Sequence, residues 1–598
     1  MSDTTPTRQA SQWLAKFADA LNRGDADAAA ALFNDDSYWR DLVSFSWNIV
    51  TSEGKAAIRD MIERAVIPAR PSGWRLEGEG SESNGTIEGW IRFETPVARG
   101  FGHLRLAGGK AFTLLTTMTE LKGFEEPKGS MREKGVEHGI YPGRKTWLER
   151  RREEEAELGI NKQPYVVIVG GGQGGIALGA RLRRLNVPAI ILDKNERPGD
   201  SWRKRYKSLC LHDPVWYDHM PYLPFPDHWP VYSPKDKIGD WLEMYTRVME
   251  LNYWGSSDCK SARFDTAKKE WVVEVVRNGT PITVRPRHLV LATGMSAVPS
   301  MPAVPGMESF KGDLHHSNRH PGPDAYKGKK AVVIGSNNSA HDIAAALWEV
   351  GADVTMIQRS STHVSRSETL RELTSGKLYS EAALAAGITT EKADLIMAAM
   401  PYRLMAAQQK PAYDEMKRRD AAFYERLRKS GFMLDFGDDE SGLFMKYVRR
   451  GSGYYIDVGA SELVADGKIK LKAGVAAKEI KERSIVFSDG SELPADLIVF
   501  ATGYGSMNGW AAQLISKEVA DRVGKCWGLG SNTRKDPGPW EGELRNMWKP
   551  THQEALWFHG GNLHQSRHYS QFLSLQLKAR MEGIPTPVYG MGPVHHKS

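Results

Sequence analysis

Two stretches of this chain are built to bring backbone N–H groups against a phosphate. Residues 165–182, YVVIVGGGQGGIALGARL, run from an apolar strand through Gly170, Gly172 and Gly175 into an alanine- and leucine-bearing helix. That is the strand, GxGxxG turn and helix of a dinucleotide site. The first glycine permits the tight turn, the second lets a diphosphate approach the backbone, and the third lets helix and strand pack closely. The helix N-terminus then faces the phosphate charge. A second strand over 189–192 ends in Asp193, about twenty residues on, where a carboxylate would hold a ribose 2′-hydroxyl.

The second stretch, AVVIGSNNSAHDIAAAL from residue 331, repeats the arrangement with Asn337 in the middle glycine's place and Ala340 in the last. Asparagine tolerates positive φ, so the turn can survive. Its following strand, 354–357, ends in Gln358, Arg359, Ser360 and Ser361. An acid at that position favours a free ribose 2′-hydroxyl, whereas Arg359 would bond a 2′-phosphate bidentately. The chain therefore reads as holding FAD first and NADPH second. Asp342, one helical turn beyond the phosphate turn, reads as a helix-start residue.

The elements that position these turns fall into several units, because 598 residues exceed one hydrophobic core. The expected fold class is α/β, two dinucleotide-binding (Rossmann-like) domains preceded by a small α+β cone. In residues 1–125, Trp13, Leu14, Phe17 and Leu21 recur at helical spacing, and Asp25 caps a second helix through Leu32. Alternation at Ile87, Gly89, Ile91 and Phe93, and again at Phe112, Leu114, Thr116 and Met118, predicts strands of a curled sheet. Asp41 is a candidate pocket acid there, with a capping or solvated carboxylate as the commoner reading. Residues 126–163 form a charged linker with one exposed helix from Thr146. Residues 164–300 are the first part of the FAD unit, with WVVEVV and HLVLATG as a strand pair. Residues 301–498 are the NADPH unit, with a helical insertion at about 366–450 that reads as a lid, and 499–598 return to the FAD unit. The last segment, FHGGNLHQSRHYSQFLSLQLKARM, reads as a glycine turn into an amphipathic helix whose N-terminus could face the flavin pyrimidine edge. Trp216, Tyr217, Tyr222, Phe225, Trp229 and Tyr232 could wall a flavin ring and an apolar or aromatic substrate, or simply pack a proline-rich connection.

Composition narrows the function. Hydrophobic content of 41% and charged content of 26% are those of a globular protein. The charge of +7 is spread along the chain, so it carries no nucleic-acid footprint. Cys210, Cys259 and Cys526 form no CxxC, which argues against a disulfide framework, a metal site and a dithiol redox centre. The polar start and the lack of an apolar run of about eighteen residues point to a cytoplasmic protein without a membrane span.

The motifs resemble a known family. GGGQGG at 170–175, LCLHDP at 209–214, ATG at 292–294, FKGDLHHS at 310–317, GSNNSAHD at 335–342 and FATGY at 500–504 resemble, in content and order, the class B flavoprotein monooxygenases. These comprise the flavin-containing, YUCCA-type and Baeyer–Villiger enzymes. The opening FADALNRGDADAAAALF and SYWRDLV resemble the nuclear-transport-factor-2-like (SnoaL-like) domains, which serve as enzymes, binding pockets or dimerising modules, so a homodimer stays open. The first resemblance implies NADPH- and oxygen-dependent monooxygenation through a flavin C4a-hydroperoxide, with N-, S- or C-oxygenation of a small organic substrate. It assigns Gly170, Gly172, Gly174, Gly175, Asp193, Trp202, Leu211, His212, Thr502 and Gly503 to FAD. To NADPH it assigns Gly335, Asn337, Asn338, Ser339, Arg359, Ser360 and Thr293. His316, from the fingerprint FxGxxxH, is the candidate catalytic residue, and a link between the two nucleotide units is its alternative. The fingerprint ordinarily ends in an aromatic residue where this chain has His320, which weighs against a Baeyer–Villiger enzyme. An NADPH oxidase or reductase without oxygen transfer, and a flavin-bound interaction protein, are the remaining readings.

Overall fold

In the computed structural model, which describes residues 5–136, 138–295 and 298–595, the first helix begins where the Thr5 hydroxyl accepts from the Arg8 N–H. This α1 (Pro6–Asn22) and α2 (Ala26–Ala31) lead into β1 (Phe33–Leu42) and β2 (Ile49–Glu53). Asp25 caps α2 through the Ala28 N–H at 2.9 Å. Then follow α3 (Lys55–Met61), β3 (Ser72–Ser83), β4 (Thr86–Glu94), β5 (Ala98–Ala107) and β6 (Lys110–Leu121), which form one sheet in the order β2-β1-β6-β5-β4-β3. In β4 the alternation holds, with Ile87, Gly89, Ile91 and Phe93 inward. In β6 it fails, because both faces are covered and residues 113–118 are all buried.

One side of this sheet is covered by aromatic rings. Trp13, Phe17, Phe33, Trp39, Trp74 and Phe93 pack ring on ring, Trp74 and Phe93 with centroids 4.7 Å apart. Asp41 is completely buried and its carboxylate accepts from the Phe45 and Ser46 N–H groups and the Ser46 and Thr116 hydroxyls. Burial raises its pKa, but three of those donors tie it to the loop at 45–46 and the fourth to β6. It is a capping carboxylate rather than a pocket acid.

After the linker helix α4 (Trp147–Glu157), capped by a reciprocal Thr146 and Glu149 pair, the first dinucleotide unit begins. It contains β7 (Val166–Val169), α5 (Gln173–Arg184), β8 (Ala189–Leu192) and β9 (Tyr253–Trp254). A three-stranded antiparallel sheet, β10 (Ser257–Asp265), β11 (Glu270–Arg277) and β12 (Thr280–Val284), precedes β13 (His288–Leu291). The WVVEVV and HLVLATG segments therefore do not pair. β11 is held in the antiparallel sheet and β13 runs parallel to β7, where all four of its residues are buried.

The second unit contains β14 (Asp313–His316), β15 (Lys330–Ile334), α6 (Asn338–Glu349), β16 (Asp353–Gln358) and β17 (His363–Arg366). Helices fill most of residues 367–450, among them α7 (Thr390–Ala398) and α8 (Gly442–Arg450). Next come β18 (Tyr454–Asp457), β19 (Lys470–Ala473), the antiparallel trio β20 (Ala477–Lys481), β21 (Ser484–Phe487) and β22 (Glu492–Pro494), and β23 (Leu497–Phe500). The chain closes with β24 (Leu556–Phe558) and α9 (Leu563–Met581). Two parallel five-stranded sheets result, β24-β13-β7-β8-β9 and β14-β23-β15-β16-β19. Because β23 lies in the second sheet, the second unit runs to residue 500, past the boundary expected at 498.

One correction concerns α9. It is not amphipathic, since Leu563 to Ala579 is buried all round except for Gln571. It lies against α5, and polar residues such as Gln565, Arg567 and Gln576 face protein rather than water.

Candidate active site

The two glycine turns are built alike. Gly170 has φ +111° and Gly335 φ +134°, conformations open to glycine. A Cβ on either would sit 2.3 Å from a carbonyl oxygen, that of Ala292 for Gly170 and that of Ala501 for Gly335. Each turn is thus backed by an Ala-Thr-Gly segment that ends the neighbouring parallel strand. Thr293 follows β13 in the first sheet, beside the first turn, and Thr502 and Gly503 follow β23 in the second sheet, beside the second turn.

At the first turn the third glycine is forced, because a Cβ on Gly175 would meet the Gly170 oxygen at 1.9 Å. The second unit seats Ala340 at that place with its methyl fully buried, so its turn is wider. Asn337 has φ −97°, so positive φ is not what its position needs. Its side chain leans to the Thr362 hydroxyl at 3.4 Å. Asn338 accepts from the Ile456 N–H at 3.0 Å, and Ser339 is half-buried at the start of α6.

Asp193 already holds the turn it follows, accepting from the Gly171 N–H and the Asn195 N–H, both at 2.7 Å. Trp202 donates to Gln173 Oε1 at the first residue of α5, 3.2 Å away. Leu211 packs into the core beneath. His212 is half-buried on the segment that follows Leu211. Asp342 is no helix-start residue, because its carboxylate accepts from the Tyr206 hydroxyl at 2.6 Å and burial raises its pKa.

Between the units the chain crosses twice. The crossings pair, with Ser300 N–H donating to Gly503 O and Gly505 N–H to Val298 O, both at 2.9 Å. His316, at the end of β14, donates from Nε2 to the Gly503 carbonyl at 3.0 Å while Nδ1 accepts from the Asn318 N–H. Both ring nitrogens are committed and burial lowers the pKa, so the ring is a neutral tie on the crossing turn. His316 thus ties the end of β14 to the crossing turn. His320, in the fingerprint's last place, lies against Tyr326 with centroids 6.1 Å apart and bonds His315.

The start of α9 faces the first turn. Gln173 donates to the Gly561 carbonyl at 3.4 Å, and a Cβ on Gly174 would lie 3.4 Å from Gly560 and 3.6 Å from the Ser566 hydroxyl. The Ser566 and Thr293 hydroxyls are buried without a protein partner. Around Gly172 there is room, the nearest atom to an added Cβ being Ser201 Oγ at 3.6 Å. Orphaned donors, an open glycine and two helix N-termini fit a nucleotide diphosphate and the polar edge of a flavin. A hollow of about 410 Å³ lies elsewhere, between α4 and the edge of β8, and contains neither turn. Among the described residues no cluster of His, Cys, Asp and Glu could hold a metal ion, and no helix is long and apolar enough to cross a membrane.

Residues 167–399 match the family model of the pyridine nucleotide-disulphide oxidoreductases. The chain is 29% identical over 365 residues to the indole-3-pyruvate monooxygenase YUCCA1 of Oryza sativa subsp. japonica, covering 60% of this chain and 82% of the relative. It is 30% identical to the probable indole-3-pyruvate monooxygenase YUCCA7 of Arabidopsis thaliana, over 57% of this chain and 74% of that one. This chain belongs to the YUCCA-like class B flavin monooxygenases. The closed crystal structure of cyclohexanone monooxygenase shares the fold, with a TM-score of 0.50 and 18% identity over 70% of this chain and 85% of that chain. As a class B flavin monooxygenase the protein is an oxidoreductase that uses FAD and NADPH for monooxygenation.

In this flavin monooxygenase the aromatic segment after LHDP divides. Phe225 and Trp229 stack at 4.7 Å and close on Trp241 as a packing cluster, while Tyr222 lies under Arg181. Tyr217 alone turns to α9, its ring flat on His564 at 4.6 Å with Tyr379 edge-on at 4.8 Å. Tyr447 and Trp527 stand nearby, and Tyr447 bonds Gln565 of α9. Beneath lies an ion pair that the sequence had not marked. Asp394 of α7 accepts from Arg567 Nε at 2.9 Å, from Arg567 Nη2 at 2.8 Å and from the Tyr379 hydroxyl at 2.8 Å. Burial would raise its pKa, but Arg567 and His564 hold it well below the ordinary carboxylate range. Only the Gly-Gly-Asn turn of FHGGNLHQS announced α9, and no motif announced Asp394.

Proposed function

We propose that this monooxygenase transfers one atom of dioxygen to an apolar or aromatic small molecule, at nitrogen, sulfur or activated carbon. FAD would lie on the first turn, held by Gly170, Gly172, Gly174 and the start of α5, with Ser566 and Thr293 as further donors. NADPH would lie on the second, with Arg359 on its 2′-phosphate. When bound, the flavin accepts hydride from NADPH and activates dioxygen. The chain's own work is to bind, orient and exclude water. The observation that carries the reading is the pairing of two like turns, each backed by an Ala-Thr-Gly segment, across one doubly crossed junction. Tyr217, Tyr379, Tyr447 and Trp527 beside α9 support an aromatic substrate, and indole-3-pyruvate, named for the relatives, heads the panel to test. Residues 5–121, three helices and a six-stranded sheet, support an NTF2-like module, and the aromatic rings packed on that sheet support a role other than catalysis.

Arg359 is exposed at the end of β16. Partial burial and the like charges of Arg450, Lys446 and Arg359 pull Lys535 down to about 8. Arg359→Ala is expected to raise the KM for NADPH roughly ten- to a hundredfold and leave that for NADH nearly unchanged. Equal effects on both would remove the role. Stoichiometric peroxide with no oxygenated product across the panel would favour an NADPH oxidase.

A further inference from the structure

The N-terminal sheet meets the rest of the protein through an apolar face that includes Leu42, Trp47, Leu115 and Leu121 and through polar contacts, among them Arg40 to the Tyr569 hydroxyl of α9 at 3.0 Å and two arginines that end on one further helix. Arg40 of β1 is 3% exposed. It forms a fork with Glu543, Nε to Oε1 at 2.6 Å and Nη2 to Oε2 at 2.8 Å, and the Thr51 hydroxyl adds a third bond to that carboxylate at 2.7 Å. Its Nη1 donates to the Ala398 carbonyl at 3.0 Å, and Arg105 of β5 donates to the next carbonyl, Ala399, also at 3.0 Å. These two carbonyls end α7, where a helix has no partners of its own and where positive charge is favoured. One turn inward on α7 stands Asp394, bound to Arg567. At its start the Thr390 hydroxyl donates to the Trp216 carbonyl at 3.0 Å, while Arg567 Nη1 donates to the Tyr217 and His219 carbonyls, both at 2.7 Å. α7, the Tyr217 segment and the first turns of α9 thus form one bonded unit, gripped from outside by the N-terminal domain.

We propose that the N-terminal domain is a clamp on α7, with Arg40 and Arg105 as positioning residues. By fixing the C-terminus of α7 they hold Asp394, and through Arg567 they set the start of α9 and the Tyr217–His564 stack against the reaction site. This rests on the reading that the flavin ring lies at the start of α9. The packed aromatic rings of the N-terminal domain fit a clamp, since a rigid body transmits a fixed position.

The test uses the full-length holoenzyme. Arg105 is the safer handle, with 14% of its side chain exposed. In Arg105→Ala, hydrogen exchange of α7 amides should quicken about tenfold, the loss of one charge-assisted bond, while β7 amides keep their rate. Peroxide released per NADPH should rise at least twofold at unchanged flavin content. Arg105→Lys, which keeps a donor and the charge, should restore both. Unchanged exchange in α7 overturns the clamp, as does a loosening spread equally over β7. Faster exchange in α7 with unchanged peroxide yield overturns its link to the reaction. Should the alanine variant fail to fold, Arg40→Lys, which removes the fork on Glu543 but keeps the charge, is read by the same two measurements. If the wild-type protein binds no flavin, the site reading fails by that measurement, and α7 exchange still decides the clamp.

Discussion

At the residue scale the glycines of the first turn differ in what they demand. Gly170 and Gly175 are fixed by the protein itself, since a side chain would collide with the Ala292 and Gly170 oxygens. Gly172 has φ −78° and open space, so the folded chain alone would accept a larger residue there. Only a ligand against its backbone explains glycine at this place. Gly172→Val is therefore expected to fold with a melting temperature near that of wild-type apoprotein and to purify without flavin. A yellow variant at full occupancy would move the diphosphate elsewhere. Substitution at Gly175, in contrast, should cost the fold itself.

At the element scale α7 and α9 carry the arrangement that no motif encodes. Arg567 is 2% exposed and spends its donors on Asp394 and two carbonyls. Neutralising Asp394 leaves a buried guanidinium without a counter-charge, at a cost of about 3–5 kcal/mol. Asp394→Asn is expected to lower the unfolding midpoint by about 4 °C, read by calorimetry. A shift of a degree or less would show that the pair contributes little. α9 was legible as a helix from its Gly-Gly-Asn start but not as a buried one, because its polar residues satisfy each other only after distant segments arrive. The same holds for β11 and β13, which read as partners and join different sheets. Strand identity follows from local pattern, and pairing follows from topology.

At the scale of the whole molecule, burial sets an acid limit. His103, His288, His363, His559 and His568 are each held near 3, chiefly by burial. Between there and the ordinary value of about 6.5 the unfolded chain binds protons that the folded one refuses. Stability is therefore complete above pH 6.5 and falls as the pH drops below it, by up to about 1.4 kcal/mol per pH unit for each histidine. The unfolding midpoint should be level from pH 8 to 7 and decline steeply from 6.5 to 5, and a flat profile across that range would refute the account.

The sequence by itself determined the two nucleotide turns, the acid after the first and the arginine after the second. Phosphate recognition by backbone is a local property of a strand, a small-residue turn and a helix, so its signal lies within about thirty residues. Only the tertiary structure decided which sheet Thr293, Thr502 and Gly503 serve, that His316 ties the crossing turn, that Asp342 answers Tyr206, and that Asp394 meets Arg567. In each of the last three cases the partners are more than a hundred residues apart. Their pairing is enforced by burial, where a polar group must find a partner, and burial exists only once the domains have closed on one another.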